Sequence, residues 1–276
     1  MSQIKRVAII GGNRIPFMRS NTAYSEASNM DMLSATLQGL VKRFGLEGER
    51  LGEVAAGAVM KHSRDFNLAR EATLNSGLAL ETPAYDIQQA CGTGLEAAIL
   101  VANKIALGQI DAGIAAGTDT ASDAPIALNE KYRRMILDLN KAKTLGQRLK
   151  ILMRFRPSFM LPSLPANAEP RTGLSMGQHC ELMVKDWGIS REDQDQLTWN
   201  SHQNLLAAYN EGFFDNLISP FNGIERDGIM RDTPVEKLAK LKPAFDRENG
   251  TLTAANSTTL TDGAAGVLLA SEEWAA

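Results

Sequence analysis

The chain has 276 residues, of which 44% are hydrophobic and 22% charged, and a formal net charge of -3. That balance fits a globular protein of one large or two small domains, and the slight negative charge argues against nucleic acid as a partner. Two cysteines are too few for a disulfide framework and suit a reducing compartment. The sequence shows no secretory apolar segment and no apolar run long enough to cross a membrane, so the expected setting is cytoplasmic.

The first element is the apolar run Val7-Ala8-Ile9-Ile10, read as a buried strand that Gly11-Gly12 ends. The turn that follows lacks the G-x-G-x-x-G spacing, which argues against a dinucleotide site. Met30 to Phe44 carries Met32, Leu33, Leu37, Leu40, Val41 and Phe44 at helical spacing, so one face packs on a core. Glu53 to Met60 reads as a second strand, and Asn67 to Ser76 as a helix closed by Gly77. A third strand runs to Gln88 and delivers Cys91. Leu95, Ala98, Ile99, Ala102, Ile105 and Ala106 then predict a helix over 93–107, ended by Gly108.

Cys91 is therefore expected at a strand-to-helix turn. The unpaired N–H groups and positive end of a helix stabilise a thiolate, the nucleophilic form of cysteine. Gly92 and Gly94 leave room for a ligand beside the backbone, and N–H groups of the turn could serve an oxyanion. The competing reading makes Cys91 a small buried hydrophobe.

Ile110 to Gly117 is a fourth strand, and Ala264 to Ala270 a last one after a long excursion from about 120 to 252. Alternating strands and helices predict an α/β layered fold with helices on both faces of the sheet. Ligands of such sheets bind beyond the carboxyl ends of the strands, where Cys91 falls.

Within the excursion, Glu130 to Arg156 holds nine basic residues opposed only by Glu130 and Asp138. Met135, Ile136, Leu139, Leu145, Leu149, Leu152 and Met153 interleave with them. Such a basic amphipathic stretch can serve a membrane surface or a partner; the alternative is a solvated helix pair covering the active site. Pro157, Pro162, Pro165 and Pro170 mark an irregular linker. Helices over 176–187 and 191–212 follow, the second capped by Ser190 with Asp193 three residues on, an approximate capping box. His202 reads as a surface or interface residue. Adjacent His179 and Cys180 make a poor metal geometry, so no metal site is expected.

Ile87-Gln88-Gln89-Ala90-Cys91-Gly92-Thr93-Gly94-Leu95-Glu96-Ala97-Ala98 resembles the acyl-enzyme cysteine motif of the thiolases. Other blocks match that family in order: Gly117 to Pro125, Met176-Gly177, Ile189 to Asp195 with Ser201-His202-Gln203, Asp232 to Phe245, and Ala255 to Ala265. The resemblance covers nearly the whole chain and points to the fatty-acid-oxidation type of acetyl-CoA acyltransferase or acetyltransferase. Gln88 stands where most members carry Asn. The resemblance implies a thiolase-like layered α/β fold with a mixed, mostly parallel sheet. An N-terminal domain would comprise 1–120 and 250–276, with a helical loop or cap region over 121–249.

The same resemblance makes Cys91 the nucleophile, Met176 a wall of the acyl pocket and Thr258 a hydroxyl near the pantetheine arm of CoA. Ser175 stands where biosynthetic thiolases often carry His, which weakens strict acetoacetyl specificity. CoA would be a co-substrate, with no cofactor. The implied partners are a second copy, as homodimer or homotetramer, and a multifunctional β-oxidation subunit. The family's C-terminal domain supplies a Gly-His-Pro histidine and a Cys-x-Gly cysteine. Neither motif is present, so the expectation is an N-terminal half holding the nucleophile without its base. A ketoacyl-synthase-type condensing enzyme and a non-catalytic dimerisation module are the alternatives.

Overall fold

A computed structural model describes residues 4–276. The chain divides into two compact units: the described residues up to Asp123 with Gly177–Ala276, and Ala124–Met176.

The first unit is built on a sheet of β1 (Val7–Arg14), β2 (Met18–Arg19), β3 (Glu53–Gly57), β4 (Ala84–Asp86), β5 (Ala112–Asp119) and β6 (Thr261–Ser271). The order is β1-β6-β5-β3-β4, with β2 attached to the start of β6. β3 pairs in parallel with both β4 and β5, while β6 is antiparallel to β1 and β5. Four of the five strands along this path thus point one way, and β6 alone opposes them.

Alternation along the strands sorts the core into two layers. On one face Val54, Ala56, Ile114 and Leu268 meet Leu33, Leu37, Leu40 and Val41 of α1 (Asn29–Phe44) and Leu68 and Ala72 of α2 (Leu68–Leu74). On the other, Ala55, Ala115 and Leu269 meet Ala97, Val101 and Ile105 of α3 (Thr93–Ala106). The fully buried apolar side chains of α1 contribute on the order of 10 kcal/mol of transfer free energy, before chain entropy is set against it. Ser28 begins α1 with a capping box to Asp31.

Two strand ends differ from the sequence reading. Gly11 and Gly12 do not end β1, which continues to Arg14 after a register shift between Ile9 and Gly11. Glycine is needed there because a Cβ on Gly11 would lie 2.6 Å from the Phe44 ring. β3 stops at Gly57 rather than Met60, because the Val59 and Met60 N–H groups turn to the Asp119 carboxylate instead of a neighbouring strand.

The second unit carries α4 (Glu130–Lys141) and α5 (Leu145–Leu152), followed by a short 3-10 turn over Pro157–Met160. α6 (Met176–Trp187), α7 (Arg191–Asn210), α8 (Val235–Leu238) and α9 (Glu272–Ala275) complete the chain. Ser190 caps α7 through the Asp193 N–H, and its own hydroxyl donates to the Asp193 carboxylate. Arg14 grips Asp227 with two bonds of 2.7 and 2.8 Å, and the Phe17 N–H adds a third at 2.6 Å. The turn Arg14-Ile15-Pro16-Phe17 therefore fastens the segment around Asp227 to the sheet. Among the described residues, no helix is long and apolar enough to cross a membrane.

Candidate active site

Cys91 lies beyond the carboxyl end of β4, exposed, two residues before α3. Its turn is tightly specified. Ala90 has φ of 45°, a left-handed conformation that a Cβ disfavours by about 1–2 kcal/mol. The Thr93 hydroxyl holds it there: Oγ1 accepts from the Gln89 N–H at 2.9 Å and donates to the Ala90 carbonyl at 2.7 Å. The Gly92 N–H adds a 2.9 Å bond to the Gln89 carbonyl. Gly92 occupies the cap position of α3 with no side-chain cap, so no side chain competes for the first-turn N–H groups. Among the described residues, nothing hydrogen-bonds the Cys91 sulfur.

The approach to this turn is fixed against β3. The Ile87 N–H reaches the Ala56 carbonyl at 2.9 Å, and the Gln88 amide donates to the Val59 carbonyl at 3.0 Å. Gly57 is a contact point: a Cβ there would lie 2.0 Å from the Ile87 carbonyl oxygen and 2.9 Å from the Thr93 methyl.

Three carboxylates at this end of the sheet order the surrounding loops. Asp86 accepts from the Leu68 and Ala69 N–H groups at the start of α2 and from Lys61. Asp119 takes the Val59 and Met60 N–H groups. Burial pushes its carboxyl above the usual range, against those two N–H groups, which pull it down. Asp262, fully buried, accepts from the Thr120 hydroxyl and from the N–H groups of Ala121 and Ser122. Sequence reading assigned no role to these aspartates. Their positions at or near strand ends were the available signal.

Thr258 lies in a different loop. It lines a cavity of about 330 Å³ with His202, Arg231, Asn256 and Ser257, and Cys91 is not among the described residues of its wall. The loop is pinned from two helices. Buried Glu181 of α6 accepts from the Thr251 and Leu252 N–H groups at 3.0 and 2.8 Å, and Asp195 of α7 accepts from the Asn256 amide at 3.0 Å. His202, read from sequence as a surface or interface residue, is half-buried against this cavity. Its Nδ1 accepts the Arg231 N–H at 3.3 Å. Burial, and secondarily the Arg231 charge, lower its pKa, so the neutral ring is favoured. Met176, the first residue of α6, is exposed.

His62 is held by Asp123, through its carbonyl at 2.9 Å and its carboxylate at 3.1 Å. Among the described residues, no group of three or more His, Cys, Asp or Glu is placed to hold a metal ion.

Comparison with known proteins adds an independent line. The model of the thiolase N-terminal domain matches residues 7–273. The chain is 40% identical over 274 residues to the 3-ketoacyl-CoA thiolases of Yersinia enterocolitica serotype O:8 and Yersinia pestis strain Pestoides F. The match covers 97% of this chain, which spans 63% of those relatives' length. The crystal structure of the Bacillus anthracis acetyl-CoA acetyltransferase superposes with a TM-score of 0.83 at 28% identity, covering 100% of this chain and 68% of that one.

Proposed function

This chain belongs to the thiolase family through its N-terminal domain, and from that premise we propose that Cys91 carries the acyl group in thiolase acyl transfer. The substrate pair is a 3-ketoacyl-CoA and free CoA, with CoA a co-substrate. The Cys91 thiolate attacks the 3-keto carbon. The bond between that carbon and the CoA-bearing α-carbon breaks, and the α-carbon takes a proton to leave as acetyl-CoA. The acyl group, two carbons shorter, remains as a thioester on Cys91. The thiol of a second CoA then takes the acyl group and returns the cysteine. Forming a covalent intermediate divides one hard carbon–carbon cleavage into two easier transfers.

The observation that carries this reading is the turn itself: an exposed cysteine on a strained apex, at the uncapped start of α3, at the carboxyl end of the sheet. The first-turn N–H groups of α3 are suited to the oxyanion of each tetrahedral intermediate. Thr258 and its cavity supply a polar lining for the CoA arm, and Met176 a wall for the acyl chain. Deprotonation of Cys91 and protonation of the leaving carbon are assigned to groups of the family's C-terminal half, because no described residue hydrogen-bonds the Cys91 sulfur. A homodimer or homotetramer fits the three-residue edge strand β4, whose outer side is unpaired among the described residues.

The test is intact-protein mass spectrometry after incubation with acetyl-CoA and with a longer acyl-CoA, beside Cys91→Ala. An acyl adduct that Cys91→Ala lacks supports the thioester. If a version extended to the length of the relatives also forms none, the reading is wrong. An adduct from acyl-carrier protein and not from acyl-CoA would instead favour a condensing synthase.

A further inference from the structure

We propose that the second unit docks on an anionic lipid surface through α5 and the segment that follows it, residues 145–164. The inference is independent of the acyl-transfer reading.

The sequence marks 130–156 as basic and amphipathic, but the structure splits that stretch in two. α4 turns Met135 inward, Ala142 just past its end is buried too, and Tyr132 stacks edge-on with Phe155 at 6.2 Å. Phe155 in turn meets Phe159 at 6.3 Å. Glu130 is bound by Arg133 and Arg134, and Asp138 by Arg154. This half has its own charge pairs, one of them made with Arg154 from the segment after α5.

α5 has no buried residue at all. Leu145, Leu149 and Leu152 lie at i, i+4 and i+7, one stripe on one face. The exposed apolar surface continues into Met153, Met160 and Leu161. These six side chains are between 49% and 79% exposed. From Leu139 to Ala168 the sequence has no Asp or Glu, while Lys141, Lys143, Arg148, Lys150, Arg154 and Arg156 fall within it. Apolar and cationic side chains are therefore presented together.

Charge complementarity selects an anionic partner, and the apolar chemistry selects lipid over protein. Leucine is under-represented at the energetic centres of protein interfaces, where Trp, Tyr and Arg dominate; here the most exposed apolar groups are Leu and Met, with Phe155 less exposed than most of them. A cavity of about 330 Å³ does lie beside this segment, but its wall is Glu130, Lys131, Arg134, Met135, Arg154 and Phe159 and takes in none of the exposed leucines. A bilayer interface needs no cavity: it takes the leucines into the acyl boundary while Lys and Arg stems reach back to the headgroups. With no helix among the described residues long and apolar enough to span, the unit would lie on the surface.

The test is co-sedimentation of the whole chain with vesicles of phosphatidylcholine alone and of phosphatidylcholine with equimolar phosphatidylglycerol. Binding to the anionic vesicles is expected, weakening as salt rises. Replacing Lys143 and Lys150 together by Gln should lower partitioning about 25-fold, at about fivefold per charge. The pair Leu149→Asp and Leu152→Asp should abolish it with circular dichroism unchanged, since neither side chain is buried. Failure of the folded chain to bind anionic vesicles overturns the proposal and leaves this surface to a protein partner, such as a multifunctional β-oxidation subunit. Binding that survives both pairs of substitutions also overturns it. Cys91 acylation measured on the same preparation reports separately on the acyl-transfer reading.

Discussion

Thr93 offers the sharpest test of how the nucleophile is positioned. Its side chain is almost fully buried, and its hydroxyl bridges the Gln89 N–H and the Ala90 carbonyl across the turn that presents Cys91. Thr93→Val keeps the shape and the methyl that faces Gly57, and removes only those two bonds. Each bond is worth about 1 kcal/mol net. The Ala90 carbonyl keeps a 3.2 Å bond from the Thr93 N–H, so the total loss should be about 1–2 kcal/mol. That is comparable to the cost of holding Ala90 left-handed, so the turn loses the clamp that offsets its strain. A displaced nucleophile slows reaction steeply, by about a hundredfold for an ångström. The measurement is the rate of the Cys91 mass shift with acyl-CoA, or with iodoacetamide where acyl transfer is too slow to time, alongside thermal melting. Thr93→Val should react at least about tenfold slower with acyl-CoA, and Thr93→Ser, which restores the hydroxyl, should recover most of the rate. A Val variant as fast as the parent, or a Ser variant as slow as Val, would refute the clamp.

Gly57→Ala places a methyl 2.0 Å from the Ile87 carbonyl oxygen, a backbone atom that cannot swing aside. A loss of about 1–3 kcal/mol in a urea melt is expected, with slowed Cys91 labelling; an unchanged midpoint would show that β3 and β4 have slack. Asp227→Asn leaves buried Arg14 without a carboxylate and should cost about 3 kcal/mol. Burial works to raise the Asp227 carboxyl, but the Arg14 and Phe17 bonds outweigh it and hold it below its ordinary value. A depressed carboxylate contributes stability that is complete above its unfolded value near about pH 4 and is lost as pH falls through the lower folded value. Stability measured across the acid range should therefore fall less steeply in the Asn variant; parallel acid profiles would remove Asp227 from the account.

Much of the sheet was legible because its signals are local. The 3.6-residue spacing of Leu33, Leu37, Leu40 and Val41 located α1, and small residues after Cys91 located the start of α3. The motif around Cys91 marked the turn that carries it, and the structure has that turn at the strand-to-helix junction expected. The direction of β6 was not legible, since an apolar run reads alike in either direction and its partners are far away in sequence. Gly11 and Gly12 read as a stop because nothing local reveals that Phe44 passes over the strand. Asp86, Asp119 and Asp262 drew no role from the sequence; their role depends on N–H groups brought in from other segments. The half-buried state of His202 follows from Arg231 and the Thr258 loop, neither of which is its sequence neighbour. For the basic stretch, composition gave the charge correctly but could not say which leucines turn inward.

The reversed strand has a consequence for how the protein is made. Among the strands described, β1 is laddered to β6, which also separates it from β5; Arg14 at its end adds a single bridge to Ile218. A ribosome adding roughly 5–20 residues each second needs roughly 12–50 s to travel from the end of β1 at Arg14 to the start of β6 at Thr261. Once β5 has ended at Asp119, the nascent chain can hold a β3-β4-β5 core whose open side is β5, beside an early strand that still lacks its laddered mate. The last strand to emerge is the one that joins them, so assembly of this half ends with an insertion rather than with growth at an edge. Such late, long-range closure is slow and leaves strand edges open to wrong pairing. The cell must keep the first strand from other partners until the final tenth of this chain has appeared.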